Sequence, residues 1–367
     1  MNASRGGALR RLVFWQPIVS PHQRDFLEAL AAAFPGEVVL AAERGLPAER
    51  IAMGWPPVVH ERVRVVDASA AETFAELVAL DRPDTLHLFS GFFSHRIVWR
   101  GFRRLVPSSA RLAMISEAPE QGLATGWIKR LRGRLLVRRL APRLEFALAM
   151  GAVGRRFFEA TGFPAEKLVT FGYYLPAAER PWPAADPAPV GPVRFLAAGQ
   201  FIRRKGFDLL VDALVGLPEG GWRCTIRGDG PWRRRLERRA ARVRRADALS
   251  FPGAIPNAAL RAEIAASDLV VVPSRHDGWA MLVNEALVAG TPVICSDACG
   301  AADMIDAPAA GVVVPAGNVA ALRAALTAAL AVGRIDARRR LAAHAVARRH
   351  DVAGAVTTFL DRIGARP

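Results

Sequence analysis

The sequence predicts an α/β protein made of two Rossmann-like domains, each a parallel sheet covered by helices. Three observations carry that prediction. Short β-branched runs alternate with longer Ala-, Leu- and Arg-rich stretches along most of the chain, the pattern of parallel strands joined by helical crossovers. Prolines cluster in PAAERPWPAADPAPVGP over 176–192, where missing backbone donors interrupt both sheet and helix and mark a linker. The length, 367 residues, accommodates two domains of ordinary size.

In the N-terminal half, strands are expected near Arg11–Trp15, Glu37–Ala41, Arg62–Val66, Thr85–Phe89, Arg111–Ile115 and Glu145–Met150. In the C-terminal half they are expected near Val193–Ala197, Arg223–Arg227, Leu249–Phe251, Leu269–Val272, Pro292–Cys295 and Gly311–Val314. The predicted layout is an N-terminal domain over 1–175, a linker over 176–192, a C-terminal domain over 193–350 and a helix over 351–367. In sheets of this type, ligands bind at the carboxyl ends of the strands, so a cleft between the two domains is the expected site.

Composition narrows the function. No apolar run approaches the ~20 residues that span a bilayer. The N-terminal apolar run, Leu12 to Trp15, is interrupted at Gln16 and Pro17 and reads as a first strand rather than a signal peptide. Three cysteines, Cys224, Cys295 and Cys299, are too few for a disulfide framework, and a reducing cytoplasm is the simplest compartment. A net charge of +16 favours anionic partners. Only three of the basic residues are lysines, so part of this charge reflects compositional bias toward Arg and Ala. No zinc pattern, helix-turn-helix or aromatic-rich sheet supports nucleic-acid binding. No Gly-x-Gly-x-x-Gly follows a strand, which disfavours a dehydrogenase.

The most informative stretch is PSRHDGWAMLVNEALVAGTPVICSD, 273–297. It reads as loop, helix start, helix and strand, with Asp277 and Glu285 eight residues apart around Gly278-Trp279-Ala280. Amides at a helix start stabilise an anionic ligand, and flanking acids can hold hydroxyls. A diphosphate attached to sugars fits both. Upstream, Gly199-Gln200-Phe201-Ile202-Arg203-Arg204-Lys205-Gly206 follows a strand and supplies cations that would stabilise a departing diphosphate. Each group has a plainer alternative. Arg203–Lys205 also reads as a solvated turn, Asp277 as an N-cap, and Glu285 as half of a helix-surface ion pair.

These motifs resemble the nucleotide-sugar site of the family 4 glycosyltransferases, which are retaining enzymes of GT-B fold. The family pattern is Glu-Gly-Phe-Gly with a second Glu eight residues after the first. Here it is Asp277-Gly278-Trp279-Ala280 and then Glu285. The resemblance implies that Asp277 meets donor-sugar hydroxyls and Glu285 the ribose, while Gly278, Trp279 and Ala280 offer amides. It also implies that Arg204 and Lys205 neutralise the diphosphate, with Gln200 standing where relatives carry an early Arg. Ala280, in place of Gly, should limit how closely the phosphate approaches. Gly228-Asp229-Gly230-Pro231 and Phe251 to Pro256 match family turns near the nucleotide. The implied reaction transfers a sugar from a nucleotide-sugar donor to a saccharide or lipid-linked saccharide, with no metal. By the same resemblance, the N-terminal domain binds the acceptor, the C-terminal domain binds the nucleotide sugar, and the C-terminal helix crosses back to the N-terminal domain.

The N-terminal half departs from the family. Pro17 to Gln23 holds no Gly, and Phe89 replaces the second His of a His-x-His pattern. His87 is then either active or a buried strand histidine. His22 and Gln23 open a helix, and His95 or Glu117 is a candidate substitute for the lost group. Gln200, Phe89 and the missing Gly loop leave a noncatalytic nucleotide-sugar or glycan binder as one alternative, and a GT-B sugar-nucleotide epimerase, which shares the fold and the donor, is another.

Residues 125–145 hold Lys129, Arg130, Arg132, Arg134, Arg138, Arg139 and Arg143 against Glu145 alone. Trp127, Ile128, Leu131 and Leu135 share a helical face opposite Leu136, Leu140 and Leu144. Either the first face meets an anionic membrane while the later part packs inward, or the whole is a core-packed helix with a wet Arg face. A second basic run, 233–245, carries a stripe of Trp232, Leu236, Ala240 and Val243 that suits packing on the sheet.

Overall fold

The computed structural model describes residues 8–45, 51, 57–91, 95–120, 126–177, 190–244 and 246–365. They form two compact units. Among the described residues, the first draws on 8–45, 51, 57–91, 95–120, 126–174 and 352–365, the second on 175–177, 190–244 and 246–351. Most of the proline stretch falls outside the described residues.

The first unit is a seven-stranded parallel sheet of order β3-β2-β1-β4-β5-β6-β7. Its strands are β1 (Arg11–Ile18), β2 (Glu37–Arg44), β3 (Arg64–Asp67), β4 (Thr85–Ser90), β5 (Arg111–Ser116), β6 (Ala147–Met150) and β7 (Leu168–Phe171). Sequence reasoning missed only β7. Its four residues, LVTF, are two buried and two not, too short a run to stand out from the helix before it. The central strands are buried on both faces, as a helix-covered parallel sheet requires; Leu12, Val13, Phe14, Trp15, Leu86, His87, Leu88 and Phe89 are all at most 1% exposed.

That burial decides the two odd positions of β4. Phe89 stacks on Trp15 and meets Phe102 edge-on, so it belongs to the core. His87 accepts a 3.1 Å hydrogen bond at Nδ1 from Trp15 Nε1 and donates from Nε2 to the Leu80 carbonyl at 3.2 Å. Burial lowers its pKa to about 4, the Leu80 bond opposing only in part. It is the neutral strand histidine, placed for packing.

The helix Gly126–Leu140 turns its later part inward. Val137, Leu140 and Leu144 are buried, whereas Leu131 and Leu135 are 51% and 61% exposed. The Trp127 and Ile128 side chains lie outside the described residues. Among the described residues no helix is long and apolar enough to cross a membrane. The final helix, Val352–Ile363, buries Phe359 against Phe14, Phe26 and Phe146 of the first unit.

The second unit is a six-stranded parallel sheet of order β10-β9-β8-β11-β12-β13. Its strands are β8 (Val193–Ala198), β9 (Trp222–Arg227), β10 (Leu249–Gly253), β11 (Leu269–Val272), β12 (Val293–Ser296) and β13 (Gly311–Val314). Pro252 is tolerated because β10 lies at the edge, where a missing donor costs no ladder bond, and the pairing slips between Ser250 and Gly253. In the basic helix Arg233–Ala240, Leu236 is buried on the sheet with Val243 beyond it, and Trp232 and Ala240 are partly covered. The three cysteines are free and buried.

Candidate nucleotide-sugar site

In the second unit the chain runs outward from β8 in one direction and reverses at β11, so these two central strands part company at their carboxyl ends. A crevice at such a reversal is where open α/β sheets take their ligands. Both sequence motifs emerge there. The loop after β8 carries Gly199 to Gly206, and the loop after β11 carries Pro273 to Ala280.

Gly206 lets them meet. It adopts φ +68, and a Cβ on it would lie 2.0 Å from the Pro273 carbonyl oxygen. The short turn Arg203–Lys205 therefore presses directly on the second loop. Arg275 N and His276 N donate to the Arg204 carbonyl at 2.7 and 3.3 Å. Arg275 also grips Asp208 through two bonds of 2.6 and 2.7 Å and reaches the Arg203 carbonyl at 3.0 Å. Burial pushes the Asp208 carboxyl up, but the Arg275 hydrogen bonds and charge more than offset it and hold the pKa below the usual range.

The result is a compact charge cluster. Lys205 Nζ donates to Asp277 Oδ2 at 2.5 Å, and Arg204 stands 3.8 Å from the other carboxylate oxygen. Asp277 is not an N-cap. That position is held by Ala280, whose side chain caps nothing, and the Asp277 carboxylate is turned toward the cations instead. Its backbone is pinned to the loop after β12, with Asp277 N donating to Ala298 O at 3.0 Å and Gly300 N to Asp277 O at 3.2 Å.

Among the described residues Ala280 alone of the non-glycines has a positive φ, at 79°. Such a conformation costs a side-chain-bearing residue ~1–2 kcal/mol, and the helix Met281–Val288 begins right after it. Gly278 is buried, and Trp279 is 3% exposed with its Nε1 donating to Asn284 Oδ1 at 2.8 Å. The Trp279 side chain thus braces the helix start from beneath, leaving the backbone as what this turn can offer a ligand.

Glu285 is no surface ion pair. It is 8% exposed. Burial raises its pKa, and the Arg261 charge and an Asn257 hydrogen bond pull downward without offsetting that. Asn257 and Arg261 lie one turn apart on the helix Asn257–Ala266, which follows β10. Sequence reasoning missed these two partners and the Arg275–Asp208 clamp. An Asn at the start of that helix with an Arg four residues on was the only available signal.

The glycine turns after β8 and β9 interlock. A Cβ on Gly228, at φ +136, would lie 1.9 Å from the Gly199 carbonyl oxygen. Phe201 N donates to Asp229 O at 2.8 Å and Gly228 N to Gly253 O at 3.1 Å. Three strand ends are thereby stitched into one floor. Gln200 sits on it half-buried, and the Arg203 side chain is exposed. In the first unit, Gln23 donates to the Tyr173 hydroxyl at 3.3 Å, while His95 and Glu117 are exposed.

Residues 179–347 match the family Glycosyl transferases group 1. This group 1 segment includes every residue of the charge cluster. A putative colanic acid biosynthesis glycosyltransferase, WcaL, of Escherichia coli K12 is 28% identical over 149 residues, 38% of this chain and 37% of that protein. The 2-deoxystreptamine N-acetyl-D-glucosaminyltransferase of Streptomyces fradiae is 34% identical over 154 residues, 42% of this chain and 33% of that protein. The chain thus spans about a third of the length of these curated relatives. Anabaena HepE in complex with UDP superposes with a TM-score of 0.74 at 15% identity, covering 97% of this chain and all of the other. At that identity the likeness establishes fold: two Rossmann-like parallel-sheet units, as in GT-B proteins.

Proposed function

We propose that this chain is a retaining, metal-independent glycosyltransferase of family 4. It moves a sugar from a nucleotide-sugar donor to a saccharide or lipid-linked saccharide in cell-surface polysaccharide assembly. The observation that carries this reading is the convergence of Arg204, Lys205 and Asp277 at the strand-order reversal, beside a helix start that no side chain caps. The group 1 match over the same residues and the UDP held by HepE support it.

The chemistry follows from the charges. Without donor, Lys205 and Asp277 satisfy each other. An arriving diphosphate takes Lys205 and Arg204 as counter-charges, and the freed Asp277 carboxylate accepts hydrogen bonds from hydroxyls of the sugar. As the glycosidic bond to phosphate breaks, the leaving oxygens gain negative charge, and fixed cations with helix-start amides stabilise it. Glu285, eight residues on and dry, accepts from the two ribose hydroxyls. The acceptor hydroxyl attacks on the face the diphosphate leaves, and a phosphate oxygen takes its proton. No carboxylate nucleophile is needed for that course.

The working location is the cytoplasm, at the inner face of the membrane. Leu131 and Leu135, exposed on the same helix as the exposed Arg134, Arg138 and Arg139, support contact with anionic lipid. Co-sedimentation with anionic vesicles at low salt tests that part alone.

The central test is a thermal-shift screen against UDP-, GDP- and ADP-sugars, followed by donor turnover. A donor at a hundred times its Kd stabilises by about 2.7 kcal/mol. Lys205→Ala should lower turnover about 100-fold or more, with Glu285→Ala weakening donor binding. If no sugar nucleotide raises the melting temperature, the proposal is wrong.

A further inference from the structure

Resting on the glycosyltransferase reading, we infer that Trp279 and Asn284 are positioning residues for the diphosphate. Their hydrogen bond holds Ala280 in a left-handed backbone and so sets the direction of the helix start that meets the phosphates. The bond runs from Trp279 Nε1 to Asn284 Oδ1 at 2.8 Å, between residues 3% and 0% exposed. Both side chains are buried, so their effect on a donor passes through the backbone between them.

That backbone is strained. Ala280 lies at φ 79° and ψ 70°, a conformation that a Cβ disfavours by a factor of about 5–30 in population. Strain of this kind persists only where the surroundings over-determine the chain. Three ties do so here. Ala301 N donates to the Trp279 carbonyl at 2.8 Å, and Val283 N donates to the Ala280 carbonyl at 3.0 Å. The third is the side-chain bond, which reaches from the residue before Ala280 to the fourth residue of the helix Met281–Val288. Of these three, only it joins the two sides of the bend, and only it depends on side-chain identity.

The two departures from the family pattern at this bend, Trp279 for Phe and Ala280 for Gly, then fit together. A glycine needs no such tie, and a phenylalanine has no N–H to make one. The indole supplies the hydrogen that steadies the methyl-bearing residue beside it. With the tie broken, Ala280 relaxes toward negative φ and the helix-start amides turn away from the crevice between β8 and β11. Affinity then falls with the fraction of molecules that keep the binding form. A glycine at this position populates the left-handed form unaided, so the same break should cost it little. A bond that served stability alone would show no such coupling in ligand binding.

The test is a double-mutant cycle on the full chain, read by calorimetric titration as the Kd for whichever of UDP, GDP and ADP binds wild type. Trp279→Phe and Asn284→Leu are introduced together, because replacing both partners of a buried bond with apolar groups spares the fold more than removing one. Trp279→Phe alone is run beside the pair, and a melting curve checks each protein. In the otherwise wild-type chain the paired change should raise the Kd about 5–10-fold. In the Ala280→Gly protein it should raise it less than about twofold. Trp279→Phe alone should show the same dependence on position 280. Equal fold-changes in the two backgrounds, or no change in either, overturn the inference and leave the donor reading intact. Failure of all three nucleotides to bind wild type overturns the donor reading itself, and this inference with it.

Discussion

Lys205 Nζ and Asp277 Oδ2 lie 2.5 Å apart although 72 positions separate them in sequence. The pair closes across the reversal between β8 and β11, and the bare backbone of Gly206 against the Pro273 carbonyl makes that approach possible. An acid and a base that reading along the chain assigns to different motifs thereby become one site.

Gly206→Ala should be costly. The left-handed backbone alone costs a residue with a Cβ ~1–2 kcal/mol, and here the new carbon would meet Pro273 O at 2.0 Å. Gly317 has φ +79 and nothing within 4 Å of where a Cβ would sit, so Gly317→Ala isolates the backbone cost. Urea unfolding should show Gly206→Ala the more destabilised, by about 2 kcal/mol or more against about 1 for the control. Nucleotide binding should fall only in the Gly206 variant. Equal losses would mean the close approach is not what the glycine serves.

Ala280→Gly should stabilise the fold. The relief of φ 79° exceeds the added freedom of the unfolded chain, leaving a net gain of about 0.5–1 kcal/mol. With no methyl at the helix start, nucleotide diphosphates should bind severalfold more tightly. Urea unfolding checks the first and calorimetric titration the second, and a weaker-binding glycine variant would contradict the assignment of this turn to phosphate.

Glu285 sets a pH dependence. Burial raises its folded carboxyl pKa above the unfolded value, so the ionised form is the one the fold resists. The cost is fully present above the folded pKa and disappears as pH falls through the unfolded value, near ~4.3. Glu285→Gln should therefore melt higher than wild type at pH 7.5 and converge with it in acid. The same variant should bind nucleotide sugar about 10–100-fold more weakly, as loss of charged hydrogen bonds implies.

His87 has the opposite sign. Its folded pKa is lowered to about 4 from an unfolded value of ~6.5, so the stability it confers is complete above the latter. It is lost as pH falls toward 4, at ~1.4 kcal/mol per unit. His87→Gln should be less stable at pH 7.5 and flatter between pH 6.5 and 4, with nucleotide binding intact. A loss of nucleotide binding in this variant would place His87 in the site after all.

Much of this was legible in sequence because the determining forces are local. Alternating β-branched and Ala-rich runs set every strand but β7, and Gly199 with the Gly228–Gly230 pair marked the turns after β8 and β9. The types of residue a diphosphate needs, cations beside a helix start and acids eight apart, sit in short segments that reading can reach. Sequence left each role two-sided, because a carboxylate's task depends on what faces it. Only tertiary structure turned Asp277 from a cap into a partner of Lys205, buried Glu285 against Asn257 and Arg261, and sank His87 between Trp15 and Leu80. Period and propensity act over a few residues, whereas burial and counter-charge are supplied by segments that meet only when the sheet assembles.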